Sequence, residues 1–182
     1  MTRRKFPDRR KRGLGLLGAV LTVTVMTVSL AGVFSVYRTT IVVNERASVT
    51  LDLMGAMAMS VRKAHSGGMK YGEKSALQDI ALAGASMRLK SSAAVTPWGG
   101  AVIVFAGDDI AKTTADAPEH TSRFILQVAG LPARACEIVA GEMVHRSEVV
   151  TVHVGTTEVA DVNAISTSCS GASSTVSVTF SS

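Results

Sequence analysis

The amino-acid sequence predicts an α+β fold, in which a long N-terminal helix packs on an antiparallel sheet with flanking helices and a C-terminal disulfide region. Helical periodicity prevails up to about residue 66, whereas short apolar or alternating runs typical of strands cluster after residue 100. Aromatic residues make up only 4% of the chain, so the core is expected to pack small aliphatic and β-branched side chains. The 182 residues can hold one ordinary domain and an appendage.

Basic residues are concentrated at the N-terminus. Residues 1–12 contain seven Lys or Arg and one acidic residue, Asp8, whereas the whole chain has a formal charge of +5. The rest of the chain is therefore close to neutral. Because a nucleic-acid backbone is bound by a basic face, and none remains outside this cluster, no nucleic-acid partner is expected.

An uncharged stretch follows the basic cluster. No residue from Gly13 to Tyr37 is charged, and a helix of this length can span a bilayer at ~1.5 Å per residue. The preceding charges predict that the N-terminus stays in the cytoplasm and that the rest is exported. A cleaved secretory signal is the alternative, since Ser29-Leu30-Ala31 loosely fits its cleavage site. Signal cores are usually only about 7 to 15 residues long, which favours a retained segment.

The helical pattern continues beyond the uncharged stretch. Apolar residues recur at three- and four-residue steps, at Val49, Leu53, Ala56, Met57 and Met59 or Ser60. A β-branched run at residues 39–43 has low helix propensity and marks a candidate bend. Gly67-Gly68 is a helix stop signal. One helix of about fifty residues is therefore predicted, with an apolar first half and an amphipathic second half.

Two further helices are predicted in the second half of the chain. The first runs from about Lys74 to Ala94, although Gly84 within it costs roughly 1 kcal/mol of helix propensity relative to Ala. Its apolar face consists of Leu77, Ile80, Ala81, Gly84 and Met87. The second helix follows Gly130-Leu131-Pro132 and has apolar residues at i, i+3 and i+7, which are Cys136, Val139 and Met143.

Four strands are predicted, at residues 101–106, 124–129, 149–154 and 175–180. Turn-forming residues precede the first strand, and residues 107–123 are expected to form an exposed loop after it. The last strand alternates polar and apolar residues, a pattern typical of a half-buried antiparallel strand.

The two cysteines, Cys136 and Cys169, both lie in the part of the chain that is predicted to be exported. Oxidising compartments favour disulfides, and a bridge between these residues is predicted on that ground. Two buried free thiols are the alternative.

The sequence has no clear pattern of catalytic, cofactor-binding or metal-ligating residues. Zinc-ligand spacing is absent among the histidines, which are His65, His120, His145 and His153. Asp108-Asp109 lacks the surrounding loop of a calcium site, and common nucleophile and nucleotide motifs are missing. Neither enzymatic activity nor a cofactor is expected. A membrane-anchored periplasmic enzyme remains the weaker alternative.

Several segments together resemble the type IVb pilins. A short basic leader ending in Gly precedes the apolar helix, as in pilin precursors. The segments Thr96–Val102, Phe124–Cys136 and Cys169–Gly171 are similar, in this order, to those of the thin-pilus subunits and the toxin-coregulated-pilus group. The resemblance covers nearly the whole chain. It implies a structural subunit of a surface filament, with adhesion, conjugation, secretion and motility all open as its role.

The resemblance also implies partners and a location. The partners are other pilin subunits, a prepilin peptidase, the inner-membrane assembly machinery and membrane lipid. The precursor would sit in the inner membrane with its C-terminal domain in the periplasm, and the assembled subunit would be extracellular. A minor or tip pilin that binds a surface as an adhesin is a second interpretation.

Processing is expected after Gly13, so that the mature chain starts at Leu14. Gly15 is a competing site, but Ser29–Val33 falls into the family spacing only after a cut at Gly13. The expected parts of the chain are a leader at 1–13, a transmembrane and assembly part at 14–37, an amphipathic part at 38–66 and a head domain at 67–182.

One position departs from the family pattern. Pilins usually have Glu as the fifth mature residue, where this chain has Gly18. That carboxylate is thought to pair with a neighbour's N-terminal ammonium, offsetting the cost of a charge in an apolar environment. A tip subunit, a filament that accommodates the charge differently and a degenerate paralogue are the three interpretations. Small residues such as Gly18 and Gly32 are expected to allow close helix packing in the filament.

Overall fold

The computed structural model describes residues 10–66, 74–89, 94–107 and 122–181. The chain divides into two compact units, residues 1–42 and 43–182. Helical residues follow one another without interruption from Arg10 to His65, which confirms the long N-terminal helix.

The first unit consists of helix α1 (Arg10–Val36) and a π-helical segment (Tyr37–Val42). The π-helical segment falls where the β-branched run marks a candidate bend. The Thr39 hydroxyl donates a hydrogen bond to the Ser35 carbonyl, at 2.9 Å. Hydroxyls that compete for carbonyls of the preceding turn loosen regular α-helical bonding, and π-helical turns arise where that bonding is interrupted.

Helix α2 (Val43–His65) opens the second unit and ends just before the predicted Gly67-Gly68 stop, which lies outside the described residues. Its buried residues are Ala47, Thr50, Leu53, Met54, Ala56, Met57, Ala58 and Val61. The prediction is wrong for Val49 and Met59, whose side chains are 46% exposed. The buried face is wider than one stripe because α2 packs against two other helices.

Helix α3 spans Lys74–Leu89 and is shorter than predicted. Residues 90–93 lie outside the described part, but Ala94 is not helical. The Ala94 carbonyl instead accepts a hydrogen bond from the Val102 N–H at 2.8 Å, and Val95 forms an antiparallel bridge with Ala101. This pairing along the sheet edge is incompatible with a continued helix.

Five strands form one antiparallel sheet in the order β1-β2-β5-β3-β4. They are β1 (Val102–Ala106), β2 (Arg123–Leu131), β3 (Val149–Val154), β4 (Thr157–Glu158) and β5 (Ser174–Ser181). The four predicted strands are present, and β4 adds a short hairpin partner for β3. Arg123 begins β2 and so does not belong to the predicted loop, whose residues 108–121 lie outside the described part.

The C-terminal strand β5 is the centre of the sheet, not a half-buried strand as predicted. It pairs with β2 on one side and with β3 on the other. Val176, Val178 and Phe180 belong to the core, and the alternate residues Ser177 and Thr179 are also almost fully buried. Sequence alternation marks which face meets the helices, but it cannot tell that the other face is covered too.

One helix follows β2 in the chain and another follows β4. Helix α4 (Ala133–Val144) packs on the sheet, and its predicted apolar residues Cys136, Val139 and Met143 are all buried. Helix α5 (Val162–Ser168) was not predicted. It is short, and its clearest sequence signal is Asp161, whose carboxylate accepts a hydrogen bond from the Ala164 N–H and caps the helix.

The turn before β1 brings two backbone segments into close contact. Gly99 adopts a φ of +83°, which favours glycine. A Cβ atom on Gly100 would lie 1.8 Å from the Ala129 carbonyl oxygen, so a larger residue cannot fit there without a backbone shift. The Thr96 hydroxyl oxygen accepts a hydrogen bond from the Gly100 N–H at 3.0 Å. The Thr-Pro-Trp-Gly-Gly motif therefore allows the turn before β1 to pack directly against the backbone of β2.

Helices α2 and α3 cross at small residues. A Cβ atom on Gly84 would lie 1.6 Å from the Ser60 Oγ and 2.3 Å from the Ser60 Cβ. Ser60 also donates a hydrogen bond to the Ala56 carbonyl at 3.0 Å, which holds its side chain in place. The glycine that weakens the sequence prediction of α3 is thus needed for close helix packing.

We expect Gly84→Ala to destabilise the protein by about 1–3 kcal/mol, because the added methyl group forces α2 and α3 apart. The matched control is Gly141→Ala in α4, where a Cβ atom would meet no atom within 4 Å. That change should stabilise the protein by about 0.5–1 kcal/mol through helix propensity. The free energy of unfolding of the full chain in detergent, followed by Trp98 fluorescence, measures both. Equal effects of the two substitutions would contradict the close crossing.

Candidate assembly helix and disulfide region

Helix α1 presents an apolar surface that no other part of its own unit covers. All side chains from Gly18 to Val36 are exposed, with Val28 70% and Val33 68% exposed. In the part of the chain that the structure describes, the helix Gly18–His65 is long and apolar enough to cross a membrane. An exposed apolar surface of this size is not expected in water, and it fits membrane anchoring.

Three threonine hydroxyls of α1, those of Thr22, Thr24 and Thr27, form hydrogen bonds with carbonyls of the preceding turn. The Thr22 hydroxyl donates to the Gly18 carbonyl at 2.8 Å, and the Thr27 hydroxyl donates to the Thr24 carbonyl at 2.9 Å. Internal hydrogen bonds of this kind allow threonine to lie in a hydrocarbon environment. The first charged residue after the uncharged stretch, Arg38, lies over the ring of Phe34 at 5.5 Å from the ring centroid.

The structure places four of the predicted site residues on α1. The predicted processing position, Gly13 and Leu14, lies in the first turns of the helix. Gly18 and Gly32 follow, and a Cβ atom built on either would meet no atom within 4 Å. The described residues therefore give no steric reason for glycine at these positions. They are separated by nearly four helical turns and so lie on about the same face.

The predicted disulfide is present. Cys136 on α4 and Cys169 at the end of α5 are bonded, with their Cα atoms 5.7 Å apart, and both are fully buried. The bridge encloses the β3–β4 hairpin and α5 and joins them to the helix that packs on the sheet. Neither cysteine is free.

The surface beside the disulfide is a shallow groove between α4 and α5 with a volume of about 300 Å³. On its rim, Arg134 forms a salt bridge with Glu137 at 3.3 Å, and the Ser166 hydroxyl donates to the other Glu137 oxygen, also at 3.3 Å. Val162 at the other side is 64% exposed. The groove is open and partly apolar, a shape suited to a contact with a protein surface.

Arg62 connects α2 to the last residue of β5 and to the residue just before β3. Its guanidinium donates hydrogen bonds to the carbonyls of Ser181 at 3.2 Å and Glu148 at 3.3 Å. It also lies 5.4 Å from the centroid of the Phe180 ring. The sequence pattern shows only that Arg62 lies outside the apolar stripe of the predicted helix. No local signal could reveal its role, because its partners are 119 and 86 residues away.

The histidines do not form a metal site within the described residues. His65 shares a hydrogen bond with the Val61 carbonyl through Nδ1 at 2.8 Å. No group of three or more His, Cys, Asp or Glu side chains that could hold a metal ion occurs in the described segments. His120 and Asp108-Asp109 lie outside them.

An exposed apolar helix, an antiparallel α+β head and a disulfide in the C-terminal part together have the arrangement of a type IVb pilin fold. The family model described as PilS N terminal matches residues 44–181, and the chain belongs to this family. The matched residues include nearly all of α2 and most of the head. The match confirms the resemblance of the sequence to the pilins. The family and the fold are those of structural, non-enzymatic proteins.

Solved structures with a similar fold include the type IV b pilin from Salmonella typhi. It has 17% sequence identity and a TM-score of 0.54, and the alignment covers 74% of this chain and 99% of that chain. TcpA, a type IV pilin from Vibrio cholerae El Tor biotype, has 14% identity and a TM-score of 0.49, with coverage of 75% and 99%. No significant match was found among curated proteins.

We expect replacement of Cys136 and Cys169 by alanine to lower the free energy of unfolding by about 3–4 kcal/mol, because the bridge restricts the unfolded chain across 33 residues. Denaturant unfolding of the full chain in detergent measures the difference. Reduced wild-type protein is the control and should match the double variant. Two free thiols in protein purified without reductant would contradict the bridge.

Proposed function

We propose that the chain is the precursor of a structural subunit of a type IVb pilus-like filament and that it assembles through helix α1. The observation that supports this most directly is the exposure of the whole apolar surface of α1 from Gly18 to Val36. A bilayer covers such a surface in the precursor, and the same helices of neighbouring subunits cover it in a filament. The filament's biological role is left open by these features.

Processing links these two environments. The leader, residues 1–13, has a net charge of +6 and stays on the cytoplasmic side of the inner membrane. A prepilin peptidase that cuts after Gly13 removes this charge. The apolar helix can then leave the bilayer without drawing a cluster of cations through it, and the head remains in the periplasm until assembly.

The intact mass of protein extracted from membranes should correspond to a chain that starts at Leu14, with or without N-methylation. Gly13→Ser should block this cut, because the peptidase recognises the glycine at the end of the leader. The matched control is Gly15→Ser, which should leave processing unchanged. A product that begins near Gly32 would indicate an ordinary signal peptide and would overturn the proposal.

Close packing of α1 helices accounts for its glycines. Among the described residues, no contact requires glycine at Gly18 or Gly32. Both lie on about the same helix face, where the absence of side chains lets a second helix approach closely. This packing needs no polar group, but it leaves the new ammonium of Leu14 to be accommodated.

Gly18 stands at the position where pilins usually have the Glu that pairs with this ammonium. Between Leu14 and Tyr37 the chain has no acidic residue that could pair with it. An unpaired charge in an apolar environment is costly, so an acidic group from another subunit is the simplest source of compensation. We therefore propose that this pilin co-assembles with a second pilin that has Glu at the corresponding position.

Expression with the assembly machinery, but without any other pilin gene, should yield few or no filaments. Gly18→Glu should raise the amount of sheared filaments under these conditions, since it supplies the missing carboxylate. The matched control is Gly18→Gln, which has nearly the same size without the charge and should not restore assembly. Abundant filaments of the unmodified chain alone would contradict co-assembly, and Gly18→Glu should then change assembly little.

A further inference from the structure

Arg38 interrupts an uncharged stretch that continues beyond α1. It is the only charged residue between Arg12 and Glu45. The residues that follow it, Thr39 to Val43, are uncharged, and the last three of them are Ile or Val. Apolar length alone therefore allows the membrane to end either near Arg38 or a few residues later. The charge of Arg38 decides between these levels, because an arginine inside hydrocarbon is costly.

The guanidinium of Arg38 lies over the ring of Phe34, one turn earlier in the helix. The guanidinium carbon is 5.5 Å from the ring centroid. Side chains of a helix point back towards its N-terminus, which is here the side of the membrane-spanning part. The Phe34 ring is itself 61% exposed. The cation and the ring therefore form one exposed surface near the level of Phe34, closer to the membrane than the backbone of Arg38.

The guanidinium retains hydrogen-bond donors for a ligand. Arg38 is exposed and forms no salt bridge within the described residues, and the first acidic residue after it in the sequence is Glu45. A cation–π contact occupies one side of a guanidinium, whose N–H donors are several. The donors that point away from the ring are free to bind an anion that approaches from the surroundings of the helix.

The anion present at this level of a membrane is the lipid phosphate. The headgroup region begins where the hydrocarbon core ends, and the apolar surface of α1 ends here. A guanidinium pairs with two phosphate oxygens side by side, through charged hydrogen bonds. Tyr37, which is 50% exposed, is next to Arg38, and tyrosine is enriched at membrane–water interfaces. Charge and composition at this end of the helix therefore match a headgroup layer.

The distance to the predicted cleavage position agrees with the thickness of one bilayer. From Gly13 to Phe34 a helix rises about 32 Å, and a hydrocarbon core is ~30 Å thick. When the guanidinium is bound to phosphates at the level of Phe34, Gly13 lies at the cytoplasmic boundary. A membrane that extended to Val42 would lengthen the span by about two helical turns and exceed the thickness of the core.

We propose that Arg38 binds lipid phosphate at the exported surface of the membrane and thereby sets the depth of the precursor helix and the position of Gly13. This rests on the membrane-spanning precursor and the processing proposed above, and it names the group that holds the helix in place. Arg38 is a positioning residue, because it acts on the cut after Gly13 only through the depth of the helix.

The depth of α1 is measured with the full precursor in nanodiscs of phosphatidylcholine and phosphatidylglycerol. The two cysteines of the chain are bonded to each other, so Val36→Cys supplies a single thiol for a nitroxide spin label. Position 36 is about 200° around the helix from Arg38, which keeps the label away from the guanidinium. Collisions of the label with oxygen and with a water-soluble nickel chelate report its depth.

In this background, Arg38→Gln should move the label about 5 Å towards the bilayer centre, or one helical turn, because the uncharged residues after position 38 can then enter the hydrocarbon. Arg38→Lys keeps a cation that binds phosphate and should keep the depth. The matched control is Arg46→Gln, which removes an exposed cation from α2 and should leave the label at its original depth. An unchanged depth in Arg38→Gln would overturn the proposal.

A second bilayer separates phosphate binding from the general cost of burying a charge. Nanodiscs of digalactosyldiacylglycerol present sugar hydroxyls and no phosphate. The shift caused by Arg38→Gln should be at most about half as large there, because the anionic partner is missing. Equal shifts in the two bilayers would exclude phosphate as the partner.

Processing in cells that express the prepilin peptidase tests the consequence for Gly13. Arg38→Gln should lower the fraction of chains that are cut after Gly13 at a fixed time, and Arg38→Lys should restore it. Unchanged cleavage despite a changed depth would overturn the positioning role.

The wild-type chain distinguishes failure of this inference from failure of the proposed function. A wild-type chain that does not insert, or that is cut near Gly32, contradicts the precursor itself without any Arg38 variant. Filament loss in Arg38→Gln at unchanged depth would instead assign Arg38 to an acidic group of another subunit and would overturn lipid binding.

Discussion

The burial of α2 is the constraint on which the rest of the head depends. Its inner face meets both α3 and α4, and Arg62 at its C-terminal end binds the carbonyls of Ser181 and Glu148. One helix therefore contributes to the core and also fixes the ends of the strands. Because β5 is the central strand and the last element of the chain, the sheet cannot be completed before its C-terminus is in place.

Small residues make this arrangement possible at two points. At one, Gly84 allows α3 to lie directly against Ser60 of α2. At the other, Gly100 allows the turn before β1 to approach the Ala129 carbonyl. The scarcity of aromatic residues, 4% of the chain, has the same consequence, since layers of Ala, Val and Met can pack at short distances. The position of α3 that results brings Gln78 to β1, where its side-chain amide donates a hydrogen bond to the Val102 carbonyl at 3.1 Å and accepts one from the Val104 N–H at 2.6 Å.

Features coded by local periodicity could be predicted from the sequence. These include the long N-terminal helix, the apolar residues of α4 and the four longer strands. The disulfide followed from the number of cysteines and the predicted oxidising compartment.

Features that depend on distant partners could not be predicted. Arg62 and Gln78 are polar residues within helical patterns, and nothing near them in the sequence indicates the backbone groups that they bind in the folded structure. The burial of both faces of β5 was missed for a related reason, because alternation describes one strand and not its neighbours. Gly18 and Gly32 are predicted from the resemblance to pilins and from their small size, and no contact among the described residues tests them.

Four glycines of this chain show the difference between close contacts within the head and the open surface of α1. Gly84 and Gly100 are each explained by an atom of the same chain that a Cβ would strike. Gly18 and Gly32 meet nothing, although each lies in a regular helix where glycine costs about 1 kcal/mol relative to alanine. Gly141 of α4 also meets no atom within 4 Å, so an open position is not by itself evidence for a partner; Gly18 and Gly32 differ from it because they lie on an apolar helix whose side chains are exposed, the kind of surface on which close helix packing takes place.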